Sequence, residues 1–394
     1  MLEENLMRLK HLNLLMILIL MTGLSALPVL AQVESRPNVV AQIYSADGTG
    51  YLTVIGPDGT NAGKLVENPK SRVDLSSDSR WLVRSGYDPD TQREVLNYAP
   101  IGGASVEVAI EPGFNVMDAH ISRDNRLMFY TLVSLEKRQW ILGLIAFDSG
   151  QVSEYLAPSD ESSPVGANQV ASVVDYDGAN VLLYAFAPYT DGNFGGLYRL
   201  PVGPESLGVG RVPMPAASGV FTVRGQALVQ PSPDGRKVAI MYGDAANPPT
   251  NYEAMGPGAT FNTLAVLDLA TSELKVVAQA GIGEALETMT WTPDSTSIIF
   301  TGGTYQNTFY LVTPNFFRVD AVSGQVSVLG LAVTERTELV GSMRACGEYL
   351  FFDVVSEQGQ GDARLFSSPL NNLAERTMLL TAKTFVLGGC ASAG

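Results

Sequence analysis

From about residue 39 onward the chain alternates short apolar runs with Gly, Asp, Ser and Pro. Downstream of Ala31 no segment carries an apolar period near 3.6. QPSPDGRKVAIMYGD (230–244) shows the unit: an apolar-ended strand, a Pro-Asp-Gly turn and a second strand, KVAIMY. Each turn residue has its own physical reason. Pro presets φ at the first central position, Asp accepts hydrogen bonds from nearby backbone amides, and Gly supplies the positive φ that closes the hairpin. The unit recurs in VDLSSDSRWLVRS (73–85), HISRDNRLMFYT (120–131), VVDYDGANVLLYAF (173–186) and TWTPDSTSIIFTG (290–302), with SMRACGEYLFFDV (342–354) a degenerate copy. Its central residues, Asp78, Asp124, Asp177, Asp234 and Asp294, stand roughly 45 to 60 residues apart, the length of a propeller blade of four short strands. A second hairpin type repeats between them, in 144–157, 264–278 and 316–330, with 51–66 of the same shape.

These patterns predict an all-β chain folded as a single β-propeller. With strands A to D running outward from the central channel, the SPDG-type turn joins A to B. Complete sets fall near 70–113, 114–158, 165–213, 217–279, 283–331 and 335–381. Residues 39–67 supply three further strands, and the tail KTFVLGGC (383–390) supplies a fourth. Together they make a seventh blade of four antiparallel strands, closing the ring with the N- and C-terminal strands and removing exposed sheet edges. Six blades with extra terminal strands is the alternative. In this frame Asp78, Asp124, Asp177, Asp234, Gly235 and Asp294 are structural turn residues and not metal ligands. No metal site and no cofactor is expected.

Ser232-Pro233-Asp234-Gly235-Arg236, with partial matches at Thr292-Pro293-Asp294-Ser295 and Ser77-Asp78-Ser79-Arg80, resembles the TolB-like, WD40-like (PD40) β-propeller repeat. GPDGTNAGKLV (56–66) is similar to the ending of the same repeat. The resemblance implies the propeller fold over nearly all of the chain after Ala31 and implies little about function. The family's namesake carries a separate α/β domain before its propeller. Only a few residues separate Ala31 from the first strand here, so the namesake's envelope role is not expected to carry over.

The N-terminus reads differently. Arg8 and Lys10 precede a charge-free run, Leu12 to Ala31, that ends in Val29-Leu30-Ala31 before Gln32. This is the pattern of a signal peptide (1–31) cleaved after Ala31 and followed by a short linker (32–38) and the propeller (39–394). The expected destination is periplasmic or extracellular. The run is about the 20 residues that span a bilayer, so an uncleaved anchor is the alternative, and only then is the membrane a partner. Two cysteines, Cys346 and Cys390, follow. An oxidising compartment permits one disulfide between them, with two idle thiols as the alternative. Cys346 falls just past strand A of the last blade and Cys390 ends the closing strand A, so a disulfide is expected to staple the ring.

The formal charge of −15 argues against nucleic-acid binding, which needs basic surface. Of two histidines, His11 lies in the leader, leaving His120. That excludes multi-His metal sites, and His120, on a channel-lining strand, reads as structural. No G-x-S-x-G elbow is present. Turns A–B and C–D are short and share one face. The long connections 85–94, 186–196, 243–262, 301–315 and 353–364, with 157–169, gather on the other. They carry Tyr189, Phe194, Tyr252, Tyr305, Phe309 and Tyr310, residue types that offer contact area with adaptable hydrogen bonding. The leading functional reading is a non-catalytic propeller binding a protein, peptide or glycan through that face. The alternative is a hydrolase or lyase acting on polysaccharide, with Asp118, Asp175 and Glu287 at the channel mouth.

Overall fold

The computed structural model describes residues 38–46, 49–61, 63–67, 72–88, 91–157, 170–186, 194–202, 207–224, 227–244, 261–281, 284–306, 310–333, 338–356 and 361–391. They fold into strands and turns only, and among them no helix is long and apolar enough to cross a membrane. The expected leader lies outside them.

The chain enters through β1 (Asn38–Tyr44), β2 (Gly50–Ile55) and β3 (Val66–Glu67). Blade 1 follows as β4 (Arg72–Leu75), β5 (Trp81–Asp88), β6 (Arg93–Pro100) and β7 (Val106–Glu107). Blade 2 is β8 (Asn115–Ile121), β9 (Leu127–Ser134), β10 (Gln139–Ala146) and β11 (Val152–Leu156). Blade 3 begins with β12 (Val170–Tyr176), β13 (Val181–Phe186) and β14 (Phe194–Leu200). After β15 (Gly210–Pro213) comes β16 (Ser218–Arg224). Blade 4 is β17 (Ala227–Pro231), β18 (Lys237–Tyr242), β19 (Thr263–Asp268) and β20 (Leu274–Gln279). Blade 5 is β21 (Glu284–Trp291), β22 (Ser297–Gln306), β23 (Tyr310–Asp320) and β24 (Val326–Leu331). Blade 6 is β25 (Glu338–Cys346), β26 (Tyr349–Ser356), β27 (Ala363–Pro369) and β28 (Thr377–Ala382), and β29 (Thr384–Ala391) ends the chain.

Seven sheets result, one per blade, so the seven-bladed expectation is borne out and the six-bladed alternative falls. The seventh sheet has the order β29-β1-β2-β3. Its C-terminal strand pairs antiparallel with β1 from Asn38↔Ala391 to Tyr44↔Thr384, so both chain ends close the ring.

One boundary differs from the sequence reading. Residues 210–213 do not complete blade 3; β16 does, pairing with β14. β15 instead crosses to blade 2 and lies parallel to β11, from Ser153↔Gly210 to Leu156↔Pro213, as a fifth strand. Arg211 fixes it there, its Nε 2.8 Å from Glu154 Oε2 and its Nη1 2.7 Å from Glu111 Oε2. Both short runs read as strands. Only their partners distinguish them, and those partners are not local in sequence.

Apolar residues facing between sheets fill every blade junction, which is where the core sits. Val40, Leu52, Val73 and Leu75 join blades 7 and 1. Trp81 stacks on Phe147 at 4.5 Å between blades 1 and 2, and Phe129 meets Tyr176 at 5.1 Å between blades 2 and 3. Val174 and Ile240 share the junction of blades 3 and 4. One larger cluster spans blades 4 to 6, including Phe316 and Phe352 at 5.0 Å. Phe351 and Leu365 meet Ile43 and Ile55 between blades 6 and 7.

Candidate functional site

The A–B turns form a hydrogen-bonded rim around one end of the channel. In four of them the turn Asp accepts a hydroxyl from the Ser or Thr two residues earlier: Ser76 to Asp78, Ser122 to Asp124, Ser232 to Asp234 and Thr292 to Asp294, at 2.6–2.7 Å. The same oxygen accepts the amide two residues later, from Arg80, Arg126, Arg236 and Thr296 at 3.1–3.2 Å. Asp177 makes a tighter turn, accepting the amides of Ala179 at 2.9 Å and Asn180 at 2.7 Å. Hydrogen bonding holds the Asp294 carboxyl below its ordinary range, chiefly through the Thr292 hydroxyl. These acids are occupied by their own turns. Neighbouring turns are also linked, with the Ser77 amide donating to Asn125 Oδ1 at 3.1 Å and the Asp234 amide to Ser295 Oγ at 3.0 Å.

Gly235 has a second reason to be glycine. The equivalent positions, Ser79, Asn125 and Ser295, adopt the same left-handed conformation with side chains present. At Gly235 a Cβ would stand 1.5 Å from Arg123 Nη1. The missing side chain makes room for a guanidinium arriving from the blade 2 turn.

That guanidinium belongs to a charged arc. A cavity of about 760 Å³ occupies the channel and reaches the short-turn face, where Ser77, Asn125 and Pro233 line it. Strand A of each blade presents alternate residues to it. On blades 1 to 3 these are Arg72, Asp74, His120 and Asp175, with Arg123 from the turn after β8. Arg72 lies between two carboxylates, its Nε 3.2 Å from Asp74 and its Nη1 3.0 Å from Asp118 of the next blade. Arg123 pairs with Asp175, again one blade on. Across the channel, Arg344 donates from Nε to the Gly388 carbonyl at 3.0 Å. With the Gln230 amide oriented to satisfy both its ends, the Gln230 oxygen lies 2.8 Å from Arg344 Nη1.

Desolvation sets the electrostatics of this arc. Burial pushes the Asp118 carboxyl up to about 6, against the pull of Arg72 and with a smaller push from Asp74. Burial also raises Asp74 and Asp175 despite their arginines. His120 is pushed down to about 4 by burial and by Arg72 and Arg123, so its ring is neutral near pH 7. Burial likewise lowers Arg344.

The channel carboxylates are engaged by neighbouring arginines. Arg72 fills the space between Asp74 and Asp118 that a glycosidic bond would need. Asp175 is held by Arg123. Glu287 sits at the β21 bulge with one carboxylate oxygen buried and does not line the cavity. The sequence reading missed the three arginines. For Arg72 the signal was alternation along strand A, which places Arg72 with Asp74 and Asp118 with His120 on one side of each strand; Arg123, in a turn, had no such signal. Among the described residues no cluster of His, Cys, Asp or Glu suits a metal ion.

Cys346, at the end of β25, is bonded to Cys390 in β29, with Cα atoms 5.5 Å apart. The bond joins strand A of blade 6 to the closing strand of blade 7. On the opposite face the β22–β23 hairpin continues its ladder beyond a bulge to Gln306↔Tyr310. Its strands, of 10 and 11 residues, are the longest in the chain's described part. Tyr305 and Tyr310 lie on its backbone near the tip, and Phe194 begins β14. Tyr189, Tyr252 and Phe309 lie outside the described residues.

No protein-family model and no curated protein matches the chain. Solved structures do. The β-propeller domain of the Trilobed protease from Pyrococcus furiosus aligns with a TM-score of 0.55 at 13% identity, covering 88% of this chain and 97% of that one. Oligogalacturonate lyase from Vibrio parahaemolyticus aligns with a TM-score of 0.55 at 11% identity, covering 87% and 85%. An acylaminoacyl peptidase aligns with a TM-score of 0.54 at 12% identity, covering 88% of this chain and 52% of the peptidase. At such identities the likeness establishes the propeller fold alone.

Proposed function

We propose that the chain is an exported, non-catalytic propeller that binds a protein, peptide or glycan partner through its long-loop face. The observation that carries this reading is the β22–β23 hairpin, whose ladder runs on to Gln306↔Tyr310. A two-stranded ladder carrying Tyr305 and Tyr310 in its paired backbone offers a pre-organised contact element, and aromatics on such an element offer large area at low entropic cost. The pairing of channel carboxylates with arginines favours binding over carboxylate catalysis. The Cys346–Cys390 bond is consistent with an oxidising destination. The test is affinity capture from the source organism's envelope and secreted fractions, using wild type and a Tyr305→Ala, Phe309→Ala, Tyr310→Ala variant. Loss of a specific partner from the variant is expected. Unchanged recovery counts against the reading.

A further inference from the structure

The channel cavity has an asymmetric lining that points to a ligand of its own. On the charged arc the cations stand forward and the anions behind. The Arg72 side chain is 55% exposed against 14% for Asp118, and Arg123 is 38% exposed against 6% for Asp175. Both guanidiniums line the cavity, Arg72 from the start of β4 and Arg123 from the turn after β8. The carboxylates behind them hold their orientation, as second partners do for a pre-organised arginine. The remaining arc, from blades 4 to 7, exposes apolar side chains: Leu228 is 38% and Val386 46% exposed, and both line the cavity. Asp74, Asp118 and Asp175 outnumber these two guanidiniums, so a small anion would be held by direct hydrogen bonds from the exposed guanidinium N–H groups and not by net positive potential. The volume suits a small ligand.

We propose that the cavity binds a carboxylate carried on an apolar body, the carboxylate meeting Arg72 and Arg123 and the apolar part resting on Leu228 and Val386. The shared chemistry has two sources, a free aliphatic acid or the C-terminus of a peptide ending in an apolar residue. The site is independent of the long-loop reading, and either stands without the other.

The test is isothermal titration of the mature chain with octanoate and with acetyl-Ala-Leu, each against its amide. Saturable binding of a carboxylate, with the amide at least about tenfold weaker, is expected for charge-assisted recognition. Whichever carboxylate binds tighter identifies the source. Arg123→Gln is expected to weaken binding about tenfold or more. Because that change leaves Asp175 without its cation, Val386→Glu and Leu228→Glu provide a second arm at exposed positions where folding is retained. Each is expected to weaken binding by at least about tenfold through like-charge repulsion and lost apolar contact, with thermal unfolding unchanged. Equal binding of acid and amide overturns the proposal. So does undiminished binding in the folded Val386→Glu protein, or no saturable heat up to about 10 mM ligand.

Discussion

Removing the Cys346–Cys390 bond tests how the ring is held shut. The bond closes a loop of 44 residues that contains blade 6 from β26 onward and nearly all of the closing strand β29. In the chain-entropy model, releasing such a loop returns freedom to the unfolded chain worth about 4 kcal/mol. The folded ring keeps its second tie, because β29 remains paired with β1 along its length. The loss should therefore appear as lower stability of the same fold. For a domain of this size it corresponds to a fall in Tm of about 5 °C. Cys346 is fully buried in the apolar cluster between blades 6 and 7, so Cys346→Ala with Cys390→Ala also removes packing worth about 1 kcal/mol. Reduced wild type separates the two effects, since it loses the link and keeps both sulfurs. Urea unfolding followed by far-ultraviolet circular dichroism measures all three forms. Reduced protein within about 1 kcal/mol of oxidised protein would refute the entropic argument. Loss of the β-sheet spectrum at 25 °C on reduction would show that the bond, and not β29–β1 pairing, holds the native ring.

Other outcomes follow from the same structure. Asp118, raised to about 6, favours folding at pH below its ordinary value of 3.8, a contribution lost as pH rises through 6. His120, lowered to about 4, acts in the opposite sense: its contribution is present above 6.5 and lost as pH falls toward 4. Urea midpoints at pH 4.5, 5.5 and 6.5 should therefore fall more steeply on acidification in Asp118→Asn and less steeply in His120→Gln. Wild-type profiles in both variants would contradict the desolvated arc. Gly143 lies opposite Tyr130 in register, and a Cβ there would stand 1.9 Å from the buried Tyr130 ring. Gly143→Ala is expected to cost about 1–3 kcal/mol by overpacking, and an unchanged Tm would be inconsistent with that contact. Gly235→Ala should displace Arg123 from Asp175 and weaken octanoate binding while leaving partner capture unchanged; unaltered octanoate binding would show that Arg123 reaches the ligand by another route.

Local chemistry made the architecture readable. A Ser or Thr, an Asp and a residue able to turn left-handed recur because each hairpin needs the same hydrogen bonds, so SPDG and its variants mark the blades wherever they occur. The terminal strands could be assigned because three apolar runs at one end lacked a fourth and the other end had one spare. What the pattern did not show depends on residues brought together only by the closed ring. Arg123 occupies a turn position, and nothing nearby in sequence announces that it pairs with Asp175 or rests against Gly235 two blades away. β15 reads as an ordinary outer strand, and only Arg211 reaching Glu111 and Glu154 explains why it joins blade 2. The aromatic face is legible from topology as a place, whereas the contacts of its side chains depend on what they meet.

Hydrogen–deuterium exchange on the chain, alone and bound to its captured partner, addresses the central claim most directly. Protection concentrated in 301–315 and the neighbouring long connections is the expected result. Protection confined to the short-turn rim around Ser77, Asn125 and Gly235 would place the partner on the opposite face and contradict it.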